Sequence, residues 1–288
     1  MRFSRLGILV LILFTVLIGA NCAYYNRIIT RKNLVDGGQA YKDRKFQEAE
    51  QLFRDAVARD PEGKTLEGRT AQLFLARTLH SEYIGNRSNP ATAEEAIEQY
   101  KKVLADDVSD QSSFKAVANL LENLNRNDEW LAWVTARTQN ANVPREQRAE
   151  AYTSLAAKKY SCANDISDTE PVKRTVIKEG KPEFEFNKPE DPQVFEQFKQ
   201  CASEGLDLIN QAVELDPNSD SAWSYKANFL VQQMRLAEME GNMDLKEELK
   251  ADAQKAKDRY TELATEKRRK ADEEEARKKA EEEAANKK

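Results

Sequence analysis

The sequence predicts an all-α fold: a solenoid of about five helix–turn–helix units, interrupted by one small β-hairpin and closed by a charged C-terminal helix. Three observations lead there. Small and aromatic residues recur at spacings of three and four, in series that end in Asp-Pro at 60–61 and 216–217. Four of the eight prolines fall inside 165–192, which breaks the helical pattern once. Residues 264–288 are almost entirely charged residues and alanine. The chain divides accordingly into a leading segment (1–25), a repeat region (26–263, with its insertion at 165–192) and a tail (264–288).

The leading segment bears on the compartment. Arg2 and Arg5 precede fifteen residues, Leu6–Ala20, that are apolar apart from Thr15, and no further charge appears before Arg27. A short basic region followed by an apolar stretch is the pattern of an export signal. The uncharged run Leu6–Asn26 is also long enough to span a bilayer, with Tyr24 and Tyr25 where interfacial aromatics sit. Ile18-Gly19-Ala20-Asn21-Cys22 resembles a bacterial lipoprotein box, with Asn21 in the slot where that family carries Gly, Ala or Ser. Three outcomes stay open: an uncleaved membrane anchor, lipidation at Cys22, or secretion after cleavage. All three place the bulk of the chain outside the cytoplasm, on the periplasmic side of a cell envelope.

The repeat region begins with Leu34, Gly37, Tyr41, Phe46, Ala49, Phe53, Ala56 and Asp60-Pro61. Ala49, Phe53 and Ala56 share one helical face. The alanines let two helices approach, Phe53 fills the space between units, and Pro61 stops the helix. These residues resemble the tetratricopeptide repeat (TPR), a 34-residue helix–turn–helix unit. A second unit carries Ala96 and Tyr100, then Val103 and Leu104, opposite Leu73, Ala76 and Leu79, across a long connection at Glu82–Thr92. A third pairs Phe114–Asn125 with Asp128–Thr138 through Ala132 and Ala136. A fourth pairs Ala149–Tyr160 with Gln193–Leu215, where Gly205, Ile209, Ala212 and Asp216-Pro217 match the first unit position for position. A fifth opens on Trp223, with Ala227, Leu230, Ala256 and Tyr260. The resemblance implies stacked hairpins that bind a protein or peptide in a groove lined by the first helix of each unit. Leu34 and Gly38 stand where the carboxylate-clamping members of the family carry Lys and Asn, so that mode is not expected.

The insertion reads as a β-hairpin. Glu183-Phe184-Glu185-Phe186 alternates strictly, the period of a strand with one covered face, and Thr175–Lys178 precedes it across a four-residue connection, Glu179-Gly180-Lys181-Pro182, in which Gly180 supplies the turn. A two-stranded ribbon is marginal alone, so Phe184 and Phe186 are candidate partner contacts. Cys162 and Cys201 flank the insertion. In an exported chain they are placed to form a disulfide; the alternative is two buried thiols.

Little catalytic chemistry can be assembled. His80 is the single histidine and only three cysteines are present, so no zinc set is expected. No catalytic triad spacing is seen, and neither a cofactor nor a metal is expected. The net charge of −5 argues against a nucleic-acid partner. In the tail, Glu273/Arg277, Glu274/Lys278 and Glu275/Lys279 are spaced for ion pairs along a solvated helix. The function expected is therefore an exported, membrane-tethered, non-enzymatic scaffold, with a role in assembling an envelope complex by analogy of fold. The alternative is an extracytoplasmic enzyme or thiol-redox protein using Cys162 and Cys201, and a passive spacer is a third reading.

Overall fold

In the computed structural model the backbone is described for residues 5–286 and the side chains for 24–285. The apolar stretch Leu6–Ala20 and Cys22 lie outside the residues whose side chains are described. Among the described residues, no helix is long and apolar enough to cross a membrane. The chain folds as two compact units, residues 1–130 and 131–288.

The first unit holds α1 (Arg5–Lys42), α2 (Phe46–Arg59), α3 (Leu66–Gly85), α4 (Pro90–Asp106) and α5 (Gln111–Asn123). Each helix packs on the next through α5. The expected signature residues form the joints. Ala49, Phe53 and Ala56 are fully buried on α2. The Phe53 ring stacks on Phe74 of α3 at 5.4 Å, so it fills the gap between successive hairpins. A β-carbon on Gly37 would come within 2.8 Å of that ring, which explains why helix α1 carries glycine there. Ala96 and Tyr100 are buried in the same way on α4. The hairpin ends are capped by side chains: Thr65 accepts from the Gly68 N–H, and Asp110 accepts from Ser112 and Ser113. Pro90 occupies the first turn of α4, where no N–H is needed.

The second unit contains α7 (Arg145–Ser167), β1 (Lys173–Lys178), β2 (Lys181–Phe186), α8 (Pro192–Leu215), α9 (Asp220–Met239) and α10 (Met243–Asn286). Helix α6 (Asn127–Gln139) runs across the boundary between the units. In the second unit α7 packs on α8, α8 on α9 and α9 on α10. Gly205, Ile209 and Ala212 are buried on α8. Here again a glycine meets a ring from the following helix: a β-carbon on Gly205 would overlap Phe229 of α9. Trp223 is half-buried and its indole N–H donates to the Pro217 carbonyl at 2.9 Å, tying the start of α9 to the turn before it.

Five sequence expectations are corrected. The buried face of α6 is Trp130, Val134, Arg137 and Thr138, whereas Ala132 and Ala136 are exposed. The larger apolar surface of Trp130 and Val134 sets the helix phase against the alanine spacing. The long connection at Glu82–Thr92 shrinks to Asn86–Asn89, because α3 runs on to Gly85 and Pro90 already starts α4. The non-helical part of the insertion starts at Asp168 and ends at Asp191, since α7 continues to Ser167 and Pro192 is the first residue of α8. The hairpin turn is two residues, Glu179 and Gly180, at φ 51° and 78°. That doubly left-handed turn matches the twist of the strands. In the tail, Glu274 pairs with Lys278 and Glu275 with Lys279, but Glu273 pairs back to Arg269 while Arg277 lies 3.8 Å from Glu281. From Thr265 to Ala285 the helix is exposed, and Lys267 makes an ion pair to Asp220 that ties it to α9.

Candidate functional site

The insertion grows out of a built base. Cys162 on α7 and Cys201 on α8 are joined by a disulfide, with their Cα atoms 6.1 Å apart. Beside it lies a core of Ala163, Val172, Phe198, Ala202, Leu236 and Met239, with Phe186 and Phe195 packed against it. Cys201 is only 7% exposed. The ribbon is therefore continuous with the packing between α7, α8 and α9, and is not a detached loop.

A second set of contacts orients it. The Arg235 guanidinium of α9 lies over the Phe186 ring at 4.6 Å and donates to the Ser167 hydroxyl at 2.7 Å. Ser167 in turn donates to the buried Gln232 side chain at 2.9 Å. Burial pushes the Arg235 guanidinium below its ordinary range, against the favourable field of Asp168. The Phe186 N–H donates to Glu238 at 3.2 Å, and the other oxygen of Glu238 holds Lys246 of α10 at 2.8 Å. Phe186 is thus used within the chain, as a half-buried wedge at the foot of the ribbon.

The outer half is different. Thr175, Ile177, Pro182 and Phe184 project from the same face of the ribbon as Phe186, because strand side chains alternate and these positions pair across it. Ile177 is 70% exposed and Phe184 59% exposed. Lys173 stands 4.3 Å from the Phe184 ring centroid and also bonds Asp168 at 2.6 Å. The opposite face carries Arg174, Val176, Lys178, Lys181, Glu183 and Glu185, with Lys178 and Glu185 3.8 Å apart. Of the two candidate contacts, Phe184 faces solvent and Phe186 does not.

The first unit offers a separate surface along the first helices of its hairpins. Tyr41 and Ser81 share a hydrogen bond of 3.0 Å, Tyr41 meets Phe74 edge to face, and Arg77 lies over Phe74 at 5.5 Å. Gly38, one of the clamp positions, leaves open space where a side chain would be. His80 lies within α3 and packs edge to face on Tyr100, and burial lowers its pKa. Sequence reasoning missed two charged joints here. Glu67, 6% exposed, is held by Arg27 at 2.9 Å and Arg31 at 2.6 Å, and those bonds hold its carboxyl down at about 2. Arg54 binds Glu50 and Glu95, while burial and the neighbouring Glu50 push Glu82 up to about 7. Among the described residues, no group of histidine, cysteine and carboxylate side chains is arranged to hold a metal ion.

No protein-family model matches the chain, and no curated protein matches it. Solved structures that overlay on it include the MamA protein, at 12% identity over 84% of this chain and 94% of that one, with a TM-score of 0.39. PilF of Pseudomonas aeruginosa overlays at 14% identity over 85% and 92%, with a TM-score of 0.40. YrrB, a TPR protein with an unusual peptide-binding site, overlays at 13% identity over 78% and 90%, with a TM-score of 0.37. Scores this low add no weight, and the assignment of fold rests on the helix pairing and the glycine–aromatic joints above. On that packing the chain is an all-α protein of TPR-like helical hairpins with a two-stranded insertion.

Proposed function

We propose that this protein is an exported, membrane-tethered scaffold that binds protein partners in assembling an envelope complex. The observation that carries the reading is the ribbon: an apolar outer face, Ile177 and Phe184, left in solvent on a base that is disulfide-closed and latched by Arg235. A surface held rigidly before binding loses less entropy on association, which favours a recognition element over a passive loop. The helix surface around Tyr41, Phe74 and Arg77 supplies a second place for a peptide. Export is supported by the apolar stretch Leu6–Ala20 after its two arginines, and by a cysteine pair placed to persist as a disulfide in an oxidising compartment. Tethering rests on the same stretch, through an uncleaved helix or through lipid on Cys22.

The test has two arms. A photo-crosslinking residue at Phe184 in the full chain should trap a defined envelope protein, and one at the exposed Lys115 of α5 serves as the comparison. Protease added to cells with a permeabilised outer membrane should digest the chain beyond the tether while the inner membrane stays sealed. Full protection would overturn the compartment, and equal, diffuse crosslinking at both sites would overturn the scaffold reading.

A further inference from the structure

The two edges of the ribbon are not equivalent. The register alternates between pairs that exchange hydrogen bonds and pairs whose backbone groups point outward. Asn187 donates to the Val172 carbonyl at 2.8 Å, which fixes 172/187 as a bonded pair. Counting along the ladder, Arg174/Glu185, Val176/Glu183 and Lys178/Lys181 are bonded, while Lys173, Thr175 and Ile177 of β1 and Pro182, Phe184 and Phe186 of β2 point outward. Two independent bonds agree: the Phe186 N–H donates outward to Glu238, and the Lys173 N–H donates to Thr169.

The outer edge of β2 is blocked. Pro182 has no N–H to give, the Phe186 N–H is taken by Glu238, and β2 is the strand that packs toward α9. The outer edge of β1 is open. Thr175 and Ile177 both present an N–H and a carbonyl there, both residues are exposed, and β1 carries no proline. Open edges of this kind accept an added strand.

We propose that the outer edge of β1 is a strand-addition site for an extended partner segment that alternates acidic and apolar residues. The proposal rests on reading the ribbon as a partner-contact element and names what it contacts. Charge selects the occupant. β1 reads Lys-Arg-Thr-Val-Ile-Lys, and Arg174 forms no ion pair with any carboxylate among the described residues. Its present neighbour, β2, is a Glu-Phe-Glu-Phe strand, so β1 already pairs with the alternation that would suit its other edge. An added strand in the same phase sets apolar side chains beside Thr175 and Ile177, and carboxylates beside Arg174 and Lys178. Charge also argues against a second copy: joining β1 to β1 would oppose Lys173, Arg174 and Lys178 of one copy to those of the other, and β2 is closed by Pro182.

The experiment uses the full chain with a fluorescent synthetic peptide of about eight residues, the length of a short strand, alternating glutamate with valine or phenylalanine. Its control has the same composition in a scrambled order. Saturable binding of the alternating peptide, with NMR shifts centred on the Thr175 and Ile177 amides, is expected. Thr175→Pro removes an outward N–H without touching the β1·β2 ladder, and should weaken binding roughly tenfold or more. The same loss should follow from methylating the peptide's edge-facing amides, a change that leaves the protein untouched. Arg174→Glu should also weaken binding. Equal affinity for the scrambled peptide, or for Thr175→Pro and the methylated peptide, overturns the proposal. So does a chain that dimerises through this edge. If a crosslinked partner at Phe184 survives Thr175→Pro, the scaffold reading stands and the edge assignment alone is lost.

Discussion

Gly205 allows a test in which one substitution changes sign with its neighbour. It lies in the middle of α8, where glycine is about 1 kcal/mol less favourable than alanine. By propensity alone, Gly205→Ala should stabilise. The added methyl would overlap two carbons of the Phe229 ring, which is fully buried between α8, α7 and α9. Overpacking of this kind costs up to about 3 kcal/mol, so the net expectation is a loss of about 2 kcal/mol. For a unit of this size that lowers Tm by about 4–8 °C. Phe229→Ala should cost about 3–5 kcal/mol by opening a cavity. In that background the overlap is gone and only the helical gain remains, so adding Gly205→Ala should restore about 1 kcal/mol. The coupling between the two changes is then about 3 kcal/mol, large for a pair of contacting residues. Gly38→Ala is the control, because nothing stands where its methyl would go, and it should be neutral or stabilising by up to about 1 kcal/mol. Urea unfolding followed by far-UV circular dichroism measures all four. Simple additivity of Gly205→Ala and Phe229→Ala would refute the account of this joint.

Other expectations follow from the base of the insertion and from the charged joints. Replacing both Cys162 and Cys201 with alanine frees a loop spanning 39 residues in sequence and should cost about 4 kcal/mol in the chain-entropy model; a melting midpoint that does not move would sink this. Phe186→Ala should cost about 3 kcal/mol and speed amide exchange in β1, whereas Phe184→Ala should leave both nearly unchanged. Glu82 holds its proton up to about pH 7 in the fold, while an unfolded glutamate releases it near 4.5, so this residue's contribution to stability falls as pH rises through that window. Glu82→Gln should flatten that slope, and a slope of opposite sign would contradict the geometry of the Glu50, Arg54 and Glu95 cluster. Glu67 works the other way: its stabilisation is present above 4.5 and is lost as pH falls toward 2, and Glu67→Gln should remove that acid-side slope.

Much of the helical fold was legible because its joints use residues of extreme size. Gly37, Ala49, Phe53 and Ala56 announce two helices in close approach, and the same grammar located α7, α8 and α9 through Gly205, Ile209 and Ala212. It failed in α6, where Trp130 and Val134 overrode the alanine spacing and bulk decided the buried face. The ribbon was legible as a hairpin from the alternation of Glu and Phe. Its asymmetry was not, because that depends on which pairs of the ladder are bonded, and the phase is set by a two-residue turn in which Glu179 joins Gly180 at positive φ. The latch was hidden for another reason: Ser167, Gln232 and Arg235 are brought together by the packing of α7 on α9 and leave no local pattern.

The far end of α10 has a consequence of its own. Beyond Lys267 the helix is maintained by ion pairs that begin and end within itself, from Glu266 and Lys270 through Arg269 and Glu273 to Arg277 and Glu281. Such a segment behaves as a ruler: about 29 Å of rise separates Lys267 from Asn286 while the ladder holds. Added electrolyte weakens exposed charge pairs without touching the buried joints nearer the fold. A probe attached near Asn286 should therefore stand at a fixed distance from α9 at low ionic strength and collapse toward a shorter, broader distribution as salt is raised.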